Sequence, residues 1–330
     1  MLSIMKILLT GGAGFIGSHI TDALVDEGHK ISIVDNLLTG KMENVNPAAK
    51  FFERDICDPF LLEFMQEQKF DYVIHHAAQV NLRLSVHNPG QDARNNIIGT
   101  LNLLQGCRSC GARGIIFASS GGAVYGEPEH LPVKENSSKG PLSPYGVSKL
   151  SVEYYLYCFA RILGLPYIAL RYGNVYGPRQ DADGESGVVA LFGKKLLLGQ
   201  APVIFGDGEQ TRDYVYVQDV VRANLLALQL LEDRHTGGAG GKSNNLDYRA
   251  FNIASGQATS VNDLLHLLKG VTAYSGPVQY SNPRPGELQR ICLDIGKARD
   301  ILEWEPQAEL FEGLAITLDD LKYKLGTDIA

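Results

Sequence analysis

The sequence predicts an α/β fold, a doubly wound parallel sheet with a smaller, mixed α/β C-terminal domain. Three observations carry the prediction. Short apolar runs alternate with amphipathic stretches through the first half, as strands and helices do in a sheet covered on both faces. A glycine-rich turn joins the first run to the first amphipathic stretch. After about residue 172 the rhythm loosens, and Gly, Pro and charged loops separate shorter elements. A chain of 330 residues is long enough for two domains. We expect them at 1–172 and 173–330, with some later segments returning to the first.

In order, IMKILLT reads as a strand, Phe15 to Gly28 as a helix and KISIVD as the second strand. KFFERD is a short strand, and Asp58-Pro59 reads as an N-cap and N1 pair opening the helix PFLLEFMQEQ. DYVIHHA is a strand, Pro89 to Cys110 a long helix and RGIIFASS a strand. Ser143-Pro144 caps a helix that runs to Leu163, with Gly164 as its stop, and PYIALRY follows as a strand. In the second half VVALFGKKLLLG, PVIFGDG, DYVYVQDVVRANLLALQLL and VNDLLHLL mark further elements. A C-terminal helix is expected near Glu312–Leu325.

Composition excludes several classes. Apolar residues at 45% and charged residues at 20% are ordinary for a globular chain. No apolar run reaches the roughly 18 residues of a membrane span. The opening MLSIMKILLT runs straight into a strand and lacks a signal-peptide cleavage region, so a cytoplasmic protein is expected. A net charge of −7 argues against a general nucleic-acid surface. An anionic ligand must therefore be held by a few well-placed arginines. Cys107 and Cys110 form a CxxC, but no second ligand pair accompanies it, so no metal is expected. They read as two semi-buried thiols closing a helix. TGGAGGKSNN resembles a phosphate loop but has Thr236 where glycine is required, and reads as a surface loop.

The turn TGGAGFIGSH spaces Gly11, Gly14 and Gly17 as GxxGxxG between strand and helix. Glycines there permit a tight turn and bring a pyrophosphate close to N–H groups at the helix start. Asp35 ends the next strand, where a carboxylate accepts hydrogen bonds from an adenine ribose and repels a 2′-phosphate. Asn36-Leu37 follow in place of arginine, so NAD is favoured over NADP and the sheet is Rossmann-type. Asp55-Ile56 end the third strand, where an adenine would lie; Asp55 alternatively caps the next helix. Ala77-Ala78-Gln79 end the fourth, over the pyrophosphate. Tyr145 and Lys149 share one face of a capped helix, since i and i+4 are neighbours. An ammonium beside a phenol favours the phenolate, as does an oxidised nicotinamide. Ser119 and Ser120 end the fifth strand, where such sheets bind ligands; they reach a substrate oxygen or merely satisfy a tight turn.

The ordered set TGGAGFIGS, HHAAQV, NNIIGT, SSGGAVYG, YGVSK, LRYGNVYGPRQ, GDGEQTRDYVYVQDV and RPGE, from Lys6 to about Leu325, resembles the extended short-chain dehydrogenase/reductases. Within them it is most similar to the UDP-glucose (UDP-galactose) 4-epimerases. The resemblance implies that Gly11, Gly14, Phe15, Ile16, Gly17, Asp35, Asn36, Asp55, Ile56, Ala77, Ala78, Gln79 and Asn96 hold NAD, together with Tyr145 and Lys149. It implies Ser120, Tyr145 and Lys149 as the catalytic set, with Ser120 preferred to Ser119 for its distance from the tyrosine. It places Asn174, Arg212, Arg284 and Glu287 on a UDP-sugar and Ile291 at the hexose pocket. Related dehydratases and decarboxylases carry acids just after the serine, where this chain has Gly121 and Gly122. Simple 4-epimerisation through a transient 4-keto sugar is therefore favoured. UDP-glucose/galactose is the first choice of substrate, with N-acetylhexosamine and uronate forms open. A homodimer through the helices near 89–110 and 143–163 is expected by analogy.

Overall fold

The computed structural model describes residues 4–182, 187–236, 245–284 and 287–326. Its first half contains β1 (Lys6–Thr10), α1 (Phe15–Asp26), β2 (Lys30–Asp35), β3 (Lys50–Glu53), α2 (Phe60–Gln68), β4 (Tyr72–His75), α3 (Leu82–His87), α4 (Pro89–Ala93), α5 (Gly99–Cys110), β5 (Gly114–Ser120), α6 (Gly121–Tyr125), α7 (Pro144–Leu163) and β6 (Tyr167–Tyr172). The second half contains β7 (Asn174–Tyr176), α8 (Val188–Leu197), β8 (Val203–Phe205), β9 (Thr211–Tyr216), α9 (Val217–Thr236), β10 (Ala250–Ile253), β11 (Ala258–Ser260), α10 (Val261–Thr272), β12 (Gln279–Ser281), α11 (Gly296–Leu302) and α12 (Leu310–Leu325).

Seven strands form one sheet in the order β10-β6-β5-β4-β1-β2-β3, and every pair in it is parallel. The chain winds outward from β1 to β3, then crosses back to lay β4 beside β1. This reversal opens a crevice at the C-terminal ends of β1 and β4, where doubly wound sheets bind ligands. Because strand side chains alternate, β1 sends Ile7 and Leu9 to one face and Leu8 to the other. On the first face they meet Ile20 of α1 and Val220 and Leu228 of α9. On the second, Phe64 of α2, Leu103 of α5 and Val152 of α7 close the core. Burial on both faces explains why these strands read as continuous apolar runs.

A second lobe packs α8, α10 and α12 around β7 and β9, with Tyr176, Phe192, Leu264, Leu268, Leu314 and Leu318 at its centre. β11-β9-β7 form a three-stranded sheet and β12-β8 a two-stranded one. The described part of the TGGAGGKSNN segment is limited to its ends, so the loop expected there lies outside the described residues. Just beyond it, β10 returns to the main sheet beside β6.

Two elements differ from the sequence reading. The Pro89–Cys110 helix is interrupted by a π turn, Arg94–Ile98. Thr100 donates its hydroxyl to the Asn96 carbonyl at 2.6 Å, and the Asn96 side chain bonds the Gln79 main chain outside the helix and Asp92 within it. These bonds accompany a widened turn, a feature common at functional sites. The α2 cap also moves by one position: Pro59 is the N-cap residue, and Asp58 accepts from the Phe60 N–H at 2.9 Å. Cys107 is buried and Cys110 half-buried, and both are free thiols.

A buried ion cluster fastens the sheet to α7. Arg171 of β6 is fully buried, and its guanidinium donates to Glu153 at 2.6 and 3.0 Å and to Asp247 at 2.8 Å. Tyr125 Oη and the Glu135 carbonyl, each at 2.9 Å, complete its shell. Glu153 also accepts from Ser119 Oγ at 2.6 Å. Removing one partner strands a buried charge. Glu153→Ala is expected to lower stability by about 3–5 kcal/mol in urea unfolding; a loss below about 1 kcal/mol, the range of an exposed ion pair, would show that the cluster does not hold α7 in place.

Candidate active site

The crevice begins at the turn after β1. Gly11 has φ +76°, and a Cβ there would lie 2.6 Å from the Ala77 nitrogen, so only glycine lets this turn pass the end of β4. A Cβ on Gly17 would meet the Gly11 carbonyl oxygen at 2.2 Å, which fixes how closely α1 approaches its own turn. Gly14 caps α1 without a side chain, and no acidic residue occupies the first turn. By contrast Ser143 and Ser260 cap α7 and α10. The first N–H groups of α1, on Phe15, Ile16 and Gly17, thus point into the crevice without a side-chain acceptor, which fits the pyrophosphate of a dinucleotide.

Asp35 is buried, and its two oxygens accept from the Ala13 and Leu37 N–H groups at 3.0 and 2.9 Å. Burial pushes this carboxyl up, against the pull of those two donors. Each oxygen keeps a lone pair, so the residue fits ribose hydroxyls while it also shapes the glycine turn. Exposed Asn36 donates to Asp55 at 2.8 Å, and Asp55 also accepts from the Cys57 N–H at 2.8 Å. Burial opposes the Asp55 charge, but these donors hold its carboxyl below the usual range. The Ile56 side chain packs in the core against Gly99, and its carbonyl accepts from Asn102 Nδ2 at 2.8 Å. Ala77, Ala78 and Gln79 follow β4. The Gln79 main chain is gripped from both sides by the Asn96 amide, at 2.8 and 2.9 Å. Asn96 therefore shapes the wall of the crevice.

The structure brings Ser120, Tyr145 and Lys149 together. Ser120 ends β5 and caps α6, accepting from the Ala123 N–H at 3.4 Å. Its side chain hydrogen-bonds the half-buried Tyr145. Lys149 is buried, its Nζ 5.7 Å from the centre of the Tyr145 ring and 4.7 Å from that of Phe117. It donates to the Ala118 carbonyl at 2.7 Å. Burial lowers the Lys149 ammonium to about 8, although the charges of Asp92 and Glu153 raise it. The sequence leads one to expect a phenol tuned downward. In the protein by itself burial, and then the Asp92 charge, hold Tyr145 above its ordinary value, and the Ser120 hydrogen bond pulls it down.

The residues expected on a sugar nucleotide lie in the second half of the chain. Asn174 lies on β7 opposite Tyr214 of β9. Arg212 of β9 donates to Glu287 at 3.3 Å, and the Arg284 guanidinium stacks 3.6 Å from the centre of the Phe205 ring. Pro285 and Gly286 of the RPGE motif lie outside the described residues. The Ile291 side chain is 2% exposed, packed with Val124, Tyr125 and Leu293 rather than facing an open pocket. Asp92 and Glu127 carry no motif and are missed by sequence reasoning. Glu127 accepts from the Gln289 and Arg290 N–H groups at 2.8 and 3.2 Å and so anchors the strap beyond Glu287. Only burial and hydrogen bonding, which a single sequence does not display, mark these two.

The family model described as the NAD dependent epimerase/dehydratase family matches residues 7–253. The chain belongs to that family. Solved epimerases of the same fold extend the match across both lobes. A UDP-glucose 4-epimerase of Thermotoga maritima, determined with UDP-glucose, is 46% identical with a TM-score of 0.90, covering 97% of this chain and 100% of that one. One of Thermus thermophilus, determined with NAD, is 38% identical with a TM-score of 0.87, covering 96% and 99%. A UDP-N-acetylglucosamine 4-epimerase of Methanobrevibacter ruminantium is 36% identical with a TM-score of 0.88, covering 98% and 100%. Among the described residues no helix is long and apolar enough to cross a membrane, and no group of His, Cys, Asp and Glu could hold a metal ion.

For this family member, the buried ammonium gives a sharp expectation. NMR of lysine-labelled protein should show an amine titrating near pH 8 that disappears in Lys149→Met. A Lys149 resonance still charged at pH 10 would contradict the burial described.

Proposed function

We propose that this protein is an NAD-dependent 4-epimerase of a UDP-hexose, with UDP-glucose and UDP-galactose as its substrates. The observation that carries the reading is the hydrogen-bonded pair Ser120–Tyr145 with Lys149 one turn on, set beside an uncapped α1 N-terminus at the switch point of the sheet. NAD, when bound, supplies the redox chemistry at the sugar C4 and, in its oxidised form, a positive charge beside Tyr145. Tyr145 takes the proton of the sugar 4-OH, and Ser120 hydrogen-bonds the same oxygen. Lys149 keeps an ammonium close to the phenol ring. The 4-keto sugar then presents its other face, and Tyr145 returns the proton to the inverted 4-oxygen. No acid follows Ser120, where Gly121 and Gly122 stand, so elimination lacks a proton carrier.

Arg212 and Arg284 hold the diphosphate, each leaving the partner it has in the free protein, Glu287 or the Phe205 ring. Asn174 contributes on the same side, and Glu287 becomes available to the uridine ribose. The first lobe, 1–172 with the returning β10, holds NAD, and 173–330 mainly holds the sugar nucleotide. The chain acts as a homodimer through α7 and the α4–α5 rod. Val147, Tyr154 and Ile162 of α7 and Ile98 of the π turn support this, being apolar and 49–74% exposed. One observation keeps a second substrate class in view. The Methanobrevibacter ruminantium neighbour, matched across both lobes, is a UDP-N-acetylglucosamine 4-epimerase.

The test is incubation with UDP-glucose, UDP-N-acetylglucosamine and UDP-glucuronate separately, resolving products by NMR. A 4-epimer of UDP-glucose is expected without net NADH, Tyr145→Phe lowering turnover by about 10²–10⁴-fold. Light scattering on the same preparation should give the mass of two chains. No epimer from any of the three, or a monomer, would refute the corresponding part of the proposal.

A further inference from the structure

Asp92 is 1% exposed and lies in α4, outside every motif. Its Oδ1 accepts from Gln79 Nε2 and Asn96 Nδ2, both at 3.0 Å, and its Oδ2 from Ser148 Oγ at 2.6 Å. All three donors are uncharged, yet a buried carboxylate normally has a cationic partner. What it joins is informative. Gln79 lies in the wall of the crevice, Asn96 in the π turn, and Ser148 between Tyr145 and Lys149 on α7. The chain of bonds continues from Asn96 through Thr100 and His75 to Thr10, the last residue before the glycine turn. One carboxylate thus connects the cofactor turn to the catalytic helix.

We propose that Asp92 is a positioning residue: it clamps the Gln79 loop and the π turn to α7, and its charge balances Lys149 against Tyr145. The inference rests on the reading of Tyr145 as the base. Ser120 on β5 and Lys149 on α7 face Tyr145, and Lys149 in turn is faced by Glu153 on α7, His75 at the end of β4 and His76 just beyond it. Both histidines are held neutral by burial, with the Lys149 charge acting in the same direction. Asp92 and Glu153 are therefore the anionic groups acting on Lys149, and Asp92 alone of the two acts on Tyr145. A negative charge here keeps Lys149 protonated and restrains ionisation of Tyr145 until a positive charge arrives in the crevice.

Asp92→Asn isolates the charge. An asparagine oxygen still accepts from Gln79 and Asn96, and its NH₂ group donates to Ser148, whose hydroxyl reverses. The phenolate of Tyr145 is titrated by ultraviolet difference spectroscopy of the NAD-loaded protein against Tyr145→Phe, without sugar. A failed sugar assay therefore leaves this measurement interpretable. The midpoint in Asp92→Asn is expected to fall by about one pH unit, and the Lys149 amine midpoint to fall with it. An unchanged Tyr145 midpoint would overturn the proposal. Ser148→Ala removes the clamp but keeps the charge, and covers the case in which Asp92→Asn does not fold. Its midpoint should stay or rise, and a fall of about one unit would overturn the proposal equally.

Discussion

The docking of α7 against the C-terminal end of β5 is the constraint on which the site depends. Three consecutive strand residues each meet a residue of that helix. Ala118 receives the Lys149 ammonium, Ser119 donates to Glu153, and Ser120 pairs with Tyr145. Tyr145, Lys149 and Glu153 succeed one another at i+4 spacing, so one helical face presents all three to the strand. Glu153 is in turn fixed by Arg171 from the neighbouring strand. The chemical group is therefore not a loop waiting to be ordered. It is a seam between a strand and a helix, closed by buried polar bonds that are costly to leave unmade.

Burial has a second consequence. It moves the phenol and the ammonium in opposite directions, each toward its neutral form. The half-buried Tyr145, with Asp92 nearby, stays a neutral phenol in the protein alone. A positive charge in the crevice shifts that balance, so on our reading proton abstraction is tied to cofactor occupancy. The second lobe shows a parallel economy of groups. Arg212 and Arg284 are engaged by Glu287 and Phe205, so neither is an open cation in an acidic protein.

Much of this was legible in the sequence. The apolar runs of β1, β2, β4, β5 and β6 were plain because both faces of the sheet are buried. Ser143-Pro144 and Gly164 marked both ends of α7, since caps are local chemistry. Ser120, Tyr145 and Lys149 meet because strand end and helix start are each set by local signals. The π turn was not legible, because it goes with bonds from Asn96 to a distant loop. Nor was β10, four residues that become a strand only beside β6. Asp92 gave no signal in the sequence, and its burial comes from packing against α7. The Ile291 side chain lies in an apolar cluster with Val124, Tyr125, Val133 and Leu293, a placement that no local pattern signals.

The central claim is that the hydrogen at C4 leaves and returns within one closed site, with Tyr145 handling only the proton on oxygen. The direct measurement uses UDP-glucose carrying deuterium at C4, mixed with unlabelled UDP-glucose bearing a different label in the uridine. Mass spectrometry of the product then follows both labels. The account predicts deuterium retained at C4 and confined to its own uridine. Loss of deuterium to water, or its transfer to the other uridine population, would contradict it.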